Sequence, residues 1–273
     1  IWNGTIMLNR NNVYSSFAAQ LFTRTIHHAH IEVHTRISAT EPIRADYFWE
    51  DFMSEPSIEE IREALDGWEF LKELPDEING FTLHQDRMID GQVLNIASYR
   101  NDAVRCRLDI TYTSETFDYV PVKIAGLHQY RDIRYFFRSR ERFAEHVKDK
   151  LPALVHDIDI RTRHDLGVII KETGLPEWTY GEKLPEKIGR FELFIRPENA
   201  IEYINGSIIF LDYTDFATGD QLVFLYNRFR DEFFAETKHV LKPDNITDFD
   251  AKSLPQLEAL LDEKLEDFLL NFK

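Results

Sequence analysis

Tight turns between short apolar runs constrain this chain most, because they require antiparallel pairing of the strands on either side. Asn205-Gly206 separates two such runs and is typical of a two-residue hairpin turn, in which both central residues need positive φ. Further turn signals occur at Asp90-Gly91 and Asn101-Asp102. Strands joined by tight hairpins cannot be neighbours in a parallel sheet. The sequence therefore predicts an α+β fold, with antiparallel sheets of hairpin-connected strands and packing helices.

Alternation of apolar and polar residues predicts a β-meander of four strands between residues 81 and 122. Its clearest strand places Cys106, Leu108, Ile110 and Tyr112 on one face, and polar residues on the other. Cys106 is thus expected to be a small buried hydrophobic residue. It is the only cysteine, so the chain cannot form an internal disulfide.

Residues with good capping side chains mark three predicted helix starts. Ser57 and Glu60 can form a capping box. Ser253 begins a final helix, whose predicted buried stripe is Leu257, Leu261, Leu265 and Phe268. Asp220 is predicted to cap a further helix that buries Leu222, Leu225, Phe229 and Phe233.

These elements suggest two similar α+β halves, which could also pack as one domain. Region 1–160 would contain a helix, a strand, the capped helix, the β-meander and another helix. Region 161–273 would contain the β-hairpin and two amphipathic helices. Arginine- and phenylalanine-rich segments at 134–143 and 228–234 hint at a duplication, although no regular period aligns them.

The charge balance restricts the partners that this chain can bind. With 32 basic and 48 acidic residues, the formal net charge is −16, which disfavours nucleic acid and anionic membranes. A basic protein partner would be attracted, and a homodimer is also compatible with the sequence. There is no apolar run of the roughly 18 residues that a membrane helix needs, and no signal-peptide pattern, so a cytoplasmic location is expected.

A histidine-rich segment is the strongest candidate metal site. On a strand, His28, His30, Glu32 and His34 would share one face, with neighbours about 6.5–7 Å apart. Imidazole and carboxylate groups are ligands that zinc and iron(II) accept, and an open coordination position would activate water. The alternatives are a solvent-facing strand, or a helix in which only His27, His30 and His34 align.

An arginine stripe is a candidate anion site. If residues 131–142 form a helix, their guanidinium groups make a ridge that could bind carboxylate or phosphate. The ridge consists of Arg131, Arg134, Arg138 and Arg142. Salt bridges to Asp132, Glu141 and Glu145 would instead make it a structural feature.

A third candidate is an acidic segment that follows the second hairpin. Asp212, Asp215 and Asp220 could hold Mg²⁺ or act as acid and base. Aspartate is also common in turns and at helix caps, which is the simpler explanation.

No nucleotide-binding glycine loop, serine-hydrolase elbow or zinc-protease motif occurs in the sequence. The leading hypothesis is a non-catalytic accessory protein whose acidic surface engages a protein partner. The alternatives are a hydrolase or oxygenase that uses zinc or iron at the histidine-rich segment, and a module that binds a small anion at the arginine ridge.

Overall fold

The computed structural model describes residues 56–240 and 242–272, which form two halves of similar architecture. The first half contains α1 (Ile58–Ala64), α2 (Glu69–Lys72), β1 (Glu77–Ile78), β2 (Phe81–His84), β3 (Met88–Asp90), β4 (Val93–Asn101), β5 (Cys106–Thr113), β6 (Asp118–Ala125), β7 (His128–Arg131), α3 (Arg140–Val147) and α4 (Leu151–His156). The second half contains α5 (Val168–Glu172), β8 (Lys187–Ile188), β9 (Phe191–Ile195), β10 (Ile201–Glu202), β11 (Ser207–Asp215), β12 (Asp220–Asn227), β13 (Glu232–His239), β14 (Lys242–Ala251) and α6 (Leu254–Leu270).

Each half builds one antiparallel sheet. The first has the order β1-β2-β4-β5-β6-β7, with β3 paired to β4, and the second has the order β14-β13-β12-β11-β9-β8, with β10 paired to β11. The predicted α+β class with antiparallel sheets and two similar halves is confirmed. All described residues belong to one compact unit, and the predicted boundary at residue 160 stays a prediction.

Irregular backbone positions recur at a constant spacing in the two halves. Positive φ occurs at four pairs of described residues whose members are 114 positions apart: Gly91 and Asn205, Arg105 and Gly219, Phe117 and Asp231, Gly126 and Val240. The bulge between Asn95 and Ala97 in β4 likewise recurs between Ile209 and Leu211 in β11. The segments 134–143 and 228–234 are not equivalent under this spacing, so they were the wrong signal for the similarity of the halves.

One buried hydrogen bond is also repeated. The Tyr99 hydroxyl donates to the carbonyl of Pro75 at 2.9 Å, and the Tyr213 hydroxyl donates to the carbonyl of Pro185 at 2.8 Å. Both rings are fully buried. Each bond anchors the loop before the first hairpin of its half to the middle of the sheet.

The second sheet is buried on both faces. Leu222 and Phe224 lie in a core shared with α6, whereas Val223 and Leu225, which alternate with them, lie in the core of the first half. The two halves therefore share a continuous apolar contact.

The predicted helix after Asp220 is wrong, because residues 220–239 form the strands β12 and β13. A strand buried on both faces has a continuous apolar run, which periodicity alone does not distinguish from a helix. Phe229, predicted to face the core, lies in the turn between these strands with 79% of its surface exposed. Region 161–273 thus has one long helix, α6, rather than two.

The other helix starts agree with the sequence. Ser57 and Glu60 form both bonds of the capping box, and the Ser253 hydroxyl accepts from the backbone N–H of Gln256. Asn205 and Gly206 both have positive φ, and β10 pairs with β11 across this turn. None of the described helices is long and apolar enough to span a membrane.

Candidate functional site

The histidine-rich segment His28, His30, Glu32 and His34 lies outside the described residues, so its metal site stays a prediction. Within the described part of the chain, no group of three or more histidine, cysteine, aspartate or glutamate side chains is arranged to hold a metal ion.

The arginine stripe does not form a helical ridge, because only its last member is helical. Arg131 ends β7, Arg134 lies in a 3-10 turn, Arg138 precedes the helix, and Arg142 lies in α3, which begins at Arg140. Arg134 forms a two-pronged ion pair with the carboxylate of Asp132, in which Nε donates to Oδ1 and a terminal guanidinium nitrogen donates to Oδ2. The aspartate side chain also accepts from the Arg134 backbone N–H, which favours the turn over a helix. Anion binding by these residues stays a prediction.

The acidic segment is a hairpin rather than a loop that enters a helix. Asp212 and Asp215 lie in β11, and Asp220 begins β12, where it accepts from Arg190 at 2.7 Å. Asp215 accepts from the backbone N–H of Ala217 and from the hydroxyl of Thr218, so it shapes the turn. Asp212 alone points into a buried polar network.

This network is centred on His128, which belongs to the edge strand of the first sheet. Its Nε2 lies 2.9 Å from the Oδ2 of Asp212, and its Nδ1 lies 3.2 Å from the Nζ of Lys238. The side chains of His128 and Asp212 are completely buried, and Lys238 is 5% exposed. Because the ammonium group can only donate, Nδ1 must accept, which leaves Nε2–H to donate to the carboxylate.

Two further side chains complete the coordination of Asp212. The Thr214 hydroxyl lies 2.9 Å from each carboxylate oxygen, and the Gln221 amide donates to Thr214 at 3.1 Å and to Asp212 at 3.3 Å. The carboxylate is therefore held by several donors, as a fully buried charge requires.

Burial governs the electrostatics of this network. It lowers the pKa of His128, although the interaction with Asp212 acts in the opposite direction. It also lowers the pKa of Lys238, against the attraction of Glu236 and Asp212. A neutral imidazole between a carboxylate and an ammonium group forms a chain of hydrogen bonds that polarise and strengthen one another. The same chain joins the two sheets.

The sequence did not reveal this network, because its members are distant in the chain. His128 and Asp212 are separated by 84 positions, and His128 and Lys238 by 110. The described part of the first half has no equivalent network. The positions equivalent to Asp212, Gln221 and Lys238, which lie 114 residues earlier, are Ser98, Arg107 and Ile124 respectively.

A second feature is the acidic surface, which we define as the exposed carboxylates of β14 and α6. They are Asp244, Asp248, Asp250, Asp262, Glu263, Glu266 and Asp267. Among the described residues none of them forms an ion pair. In the described part of the first half, some exposed carboxylates are paired, Glu73 with Lys148 at 2.6 Å and Asp86 with Arg100 at 2.7 Å, and others such as Glu59 are not.

The acidic surface arises from the final helix of the second half. Residues 254–270 contain five acidic residues and one lysine, a net charge of −4. The equivalent residues 140–156 contain three acidic and four basic residues, a net charge of +1. The adjacent strand β14 is an edge strand, so its exposed carboxylates stand beside unpaired backbone groups.

Comparison with known proteins identified no relative. No protein-family model, no curated protein and no solved structure matches this chain.

Proposed function

We propose that this chain is a non-catalytic accessory protein that engages a basic protein partner through its acidic surface. The observation that carries the proposal is the set of seven exposed carboxylates on β14 and α6, none of which has an ion-pair partner among the described residues. Unpaired charges of one sign on one surface attract a partner of the opposite sign and accelerate its association.

The position of the surface adds a second means of recognition. An edge strand can accept another strand through its backbone N–H and C=O groups. β14 has ten residues, whereas the other edge of the same sheet, β8, has two. Exposed aspartates on β14 disfavour pairing with acidic strands and favour a basic one, because like charges across a strand pair are destabilising and opposite charges are favourable.

Edge protection alone would explain the aspartates of β14, since charges on an edge strand prevent aggregation. It would not explain the carboxylates on the outer side of α6, where no backbone hydrogen-bonding groups are free except at the helix ends. The proposal therefore depends most on Glu263, Glu266 and Asp267.

The test uses a short synthetic peptide of alternating lysine and glycine as a defined basic probe. Its affinity for the full chain is measured calorimetrically at low and at physiological ionic strength, over which the Debye length falls from about 30 Å to about 8 Å. We expect saturable binding that weakens steeply with salt. The combined variant Glu263→Gln, Glu266→Gln, Asp267→Asn should lower the affinity at least about threefold, since each exposed ion pair contributes roughly 0.2–1 kcal/mol.

The matched control removes three exposed carboxylates from the first half, in the combined variant Glu59→Gln, Glu63→Gln, Glu115→Gln. It changes the net charge by the same amount, so a loss of long-range attraction alone would affect both variants equally. Equal affinities of the two variants, or no binding by the unmodified protein, would contradict the proposal.

A further inference from the structure

A small cavity between the two halves has an unusual lining for so acidic a chain. Its volume is about 180 Å³, and it is lined by Leu127, Gln129, Arg131, Tyr203 and Lys238. Two of these residues are cationic and none is acidic. Two larger cavities of the described structure are each lined by carboxylates as well, Asp165, Glu177 and Glu198 in one and Glu172 and Asp231 in the other.

Lys238 is a buried cation in this cavity without a direct counterion. Its only hydrogen bond among the described residues is to Nδ1 of His128 at 3.2 Å, so two of its three N–H donors are unused. The carboxylate of Asp212 lies on the far side of the imidazole ring. A buried ammonium group that is not directly paired is costly, and an anion in the cavity would offset that cost.

The other polar side chains of the lining are also available to donate. The side chains of Arg131 and Gln129 and the Tyr203 hydroxyl form no hydrogen bond with any described residue. Burial raises the pKa of Tyr203, so its hydroxyl keeps the proton. The ammonium group of Lys238 lies 5.1 Å from the centre of the Tyr203 ring, which holds the two side chains together.

We propose that this cavity binds a small oxyanion, a phosphate or carboxylate group, between Lys238 and Arg131. Guanidinium binds such groups through two parallel bonds, and an ammonium group adds a point charge. At about 180 Å³, the cavity is well above the roughly 10–15 Å³ that a single water molecule needs. It therefore has room for a phosphate or a short dicarboxylate.

The site would link the two halves, because Arg131 and Gln129 belong to β7, whereas Tyr203 and Lys238 belong to the second half. A bound oxyanion would stabilise their contact, and the unfolding temperature would rise with ligand concentration. This inference is independent of the acidic surface, since none of the acidic-surface residues lines the cavity.

The test measures binding of inorganic phosphate and, separately, of malonate to the full chain by calorimetry and by thermal unfolding. We expect saturable binding of at least one anion at one site per chain. Lys238→Met should reduce the affinity at least tenfold, and Arg131→Gln should reduce it severalfold. Lys242→Met, which removes an exposed lysine at the start of β14, is the matched control and should bind as the unmodified protein does.

Binding of only one of the two anions would support the proposal and identify the preferred group. The proposal would be overturned if neither anion showed saturable binding. It would also be overturned if Arg131→Gln and Lys238→Met both left the binding affinity unchanged. Arg131 is exposed, so its variant remains informative if Lys238→Met fails to fold.

Discussion

The two halves use the same backbone plan but differ in their final helix. Pro152 interrupts the helical segment 140–156 of the first half, because proline lacks the N–H that would continue the hydrogen-bond ladder. The equivalent position in the second half is Glu266, and α6 continues for 17 residues. The last strands also differ, with four residues in β7 and ten in β14.

The comparison separates the positions that determine the fold from those that are free to vary. The helices that follow the sheets bury side chains at equivalent positions: Phe143 and Leu257, Val147 and Leu261, Leu151 and Leu265, Val155 and Leu269. The exposed positions between them reverse the sign of the charge. Packing thus fixes the shared architecture, and the surface charge distinguishes the second half.

Truncation of the equivalent core side chains should produce the largest effect. Phe143 is fully buried against the rings of Trp68, Phe70 and Tyr119. We expect Phe143→Ala to lower the free energy of unfolding by about 3–5 kcal/mol and Leu257→Ala by about 2–5 kcal/mol, measured by urea denaturation. The control Leu270→Ala, at a residue with 57% exposure, should change it by less than about 0.5 kcal/mol. A negligible loss at either core position would show that the two helices do not have equivalent structural roles.

In the acidic range, the buried network should make stability depend on pH through His128, which belongs to the first half. Burial holds the pKa of His128 below its unfolded value of about 6.5, so the unfolded state takes up the proton first as the pH falls. The free energy of unfolding should therefore decrease below about pH 6.5, at a rate of at most about 1.4 kcal/mol per pH unit from this residue. The charges of Asp212, Glu236 and Lys238, which face the imidazole, determine how far the pKa of His128 is lowered and therefore how much stability is lost.

The variant His128→Gln isolates this contribution, because the amide retains hydrogen-bonding capacity without titrating in this range. Its stability should fall less steeply than that of the unmodified protein between pH 6.5 and the folded-state pKa. Parallel stability curves for the two proteins would indicate that His128 does not titrate differently on unfolding.

Removal of the repeated tyrosine hydroxyls should lower the free energy of unfolding by less than the core truncations do, and by the same amount in each half. Tyr99→Phe and Tyr213→Phe each remove one hydrogen bond to a proline carbonyl, which should cost about 1 kcal/mol. Chemical denaturation measures both values. Tyr135→Phe is the control and should be near neutral, since Tyr135 is half-buried and its hydroxyl has no such partner among the described residues. A difference of more than about 1 kcal/mol between the two variants would argue against equivalent roles.

Local signals predicted much of the fold because their causes are local. The capping box at Ser57, the cap at Ser253 and the turn at Asn205 each depend on neighbouring residues, and each is confirmed. The leucine stripe of α6 was also predicted, since its other side is exposed and the helical period is visible. The sequence does not distinguish β12 from a helix, because both faces of this strand are buried and the alternation of apolar and polar residues is hidden.

The candidate site could not be predicted in the same way. His128, Asp212 and Lys238 meet only because the second sheet packs against the edge strand of the first, and no local pattern records that packing. The acidic surface was predicted from the net charge, but its location on β14 and α6 depends on which carboxylates are exposed and unpaired.

The most direct test of the account is a titration of the isotopically labelled full chain with the lysine–glycine peptide, followed by amide chemical shifts. We predict that saturable shifts concentrate at residues 244–250 and 258–267, with few at the equivalent helical residues 140–156. Shifts of equal size in both helical segments, or shifts confined to the first half, would contradict the claim that the second half carries the binding surface.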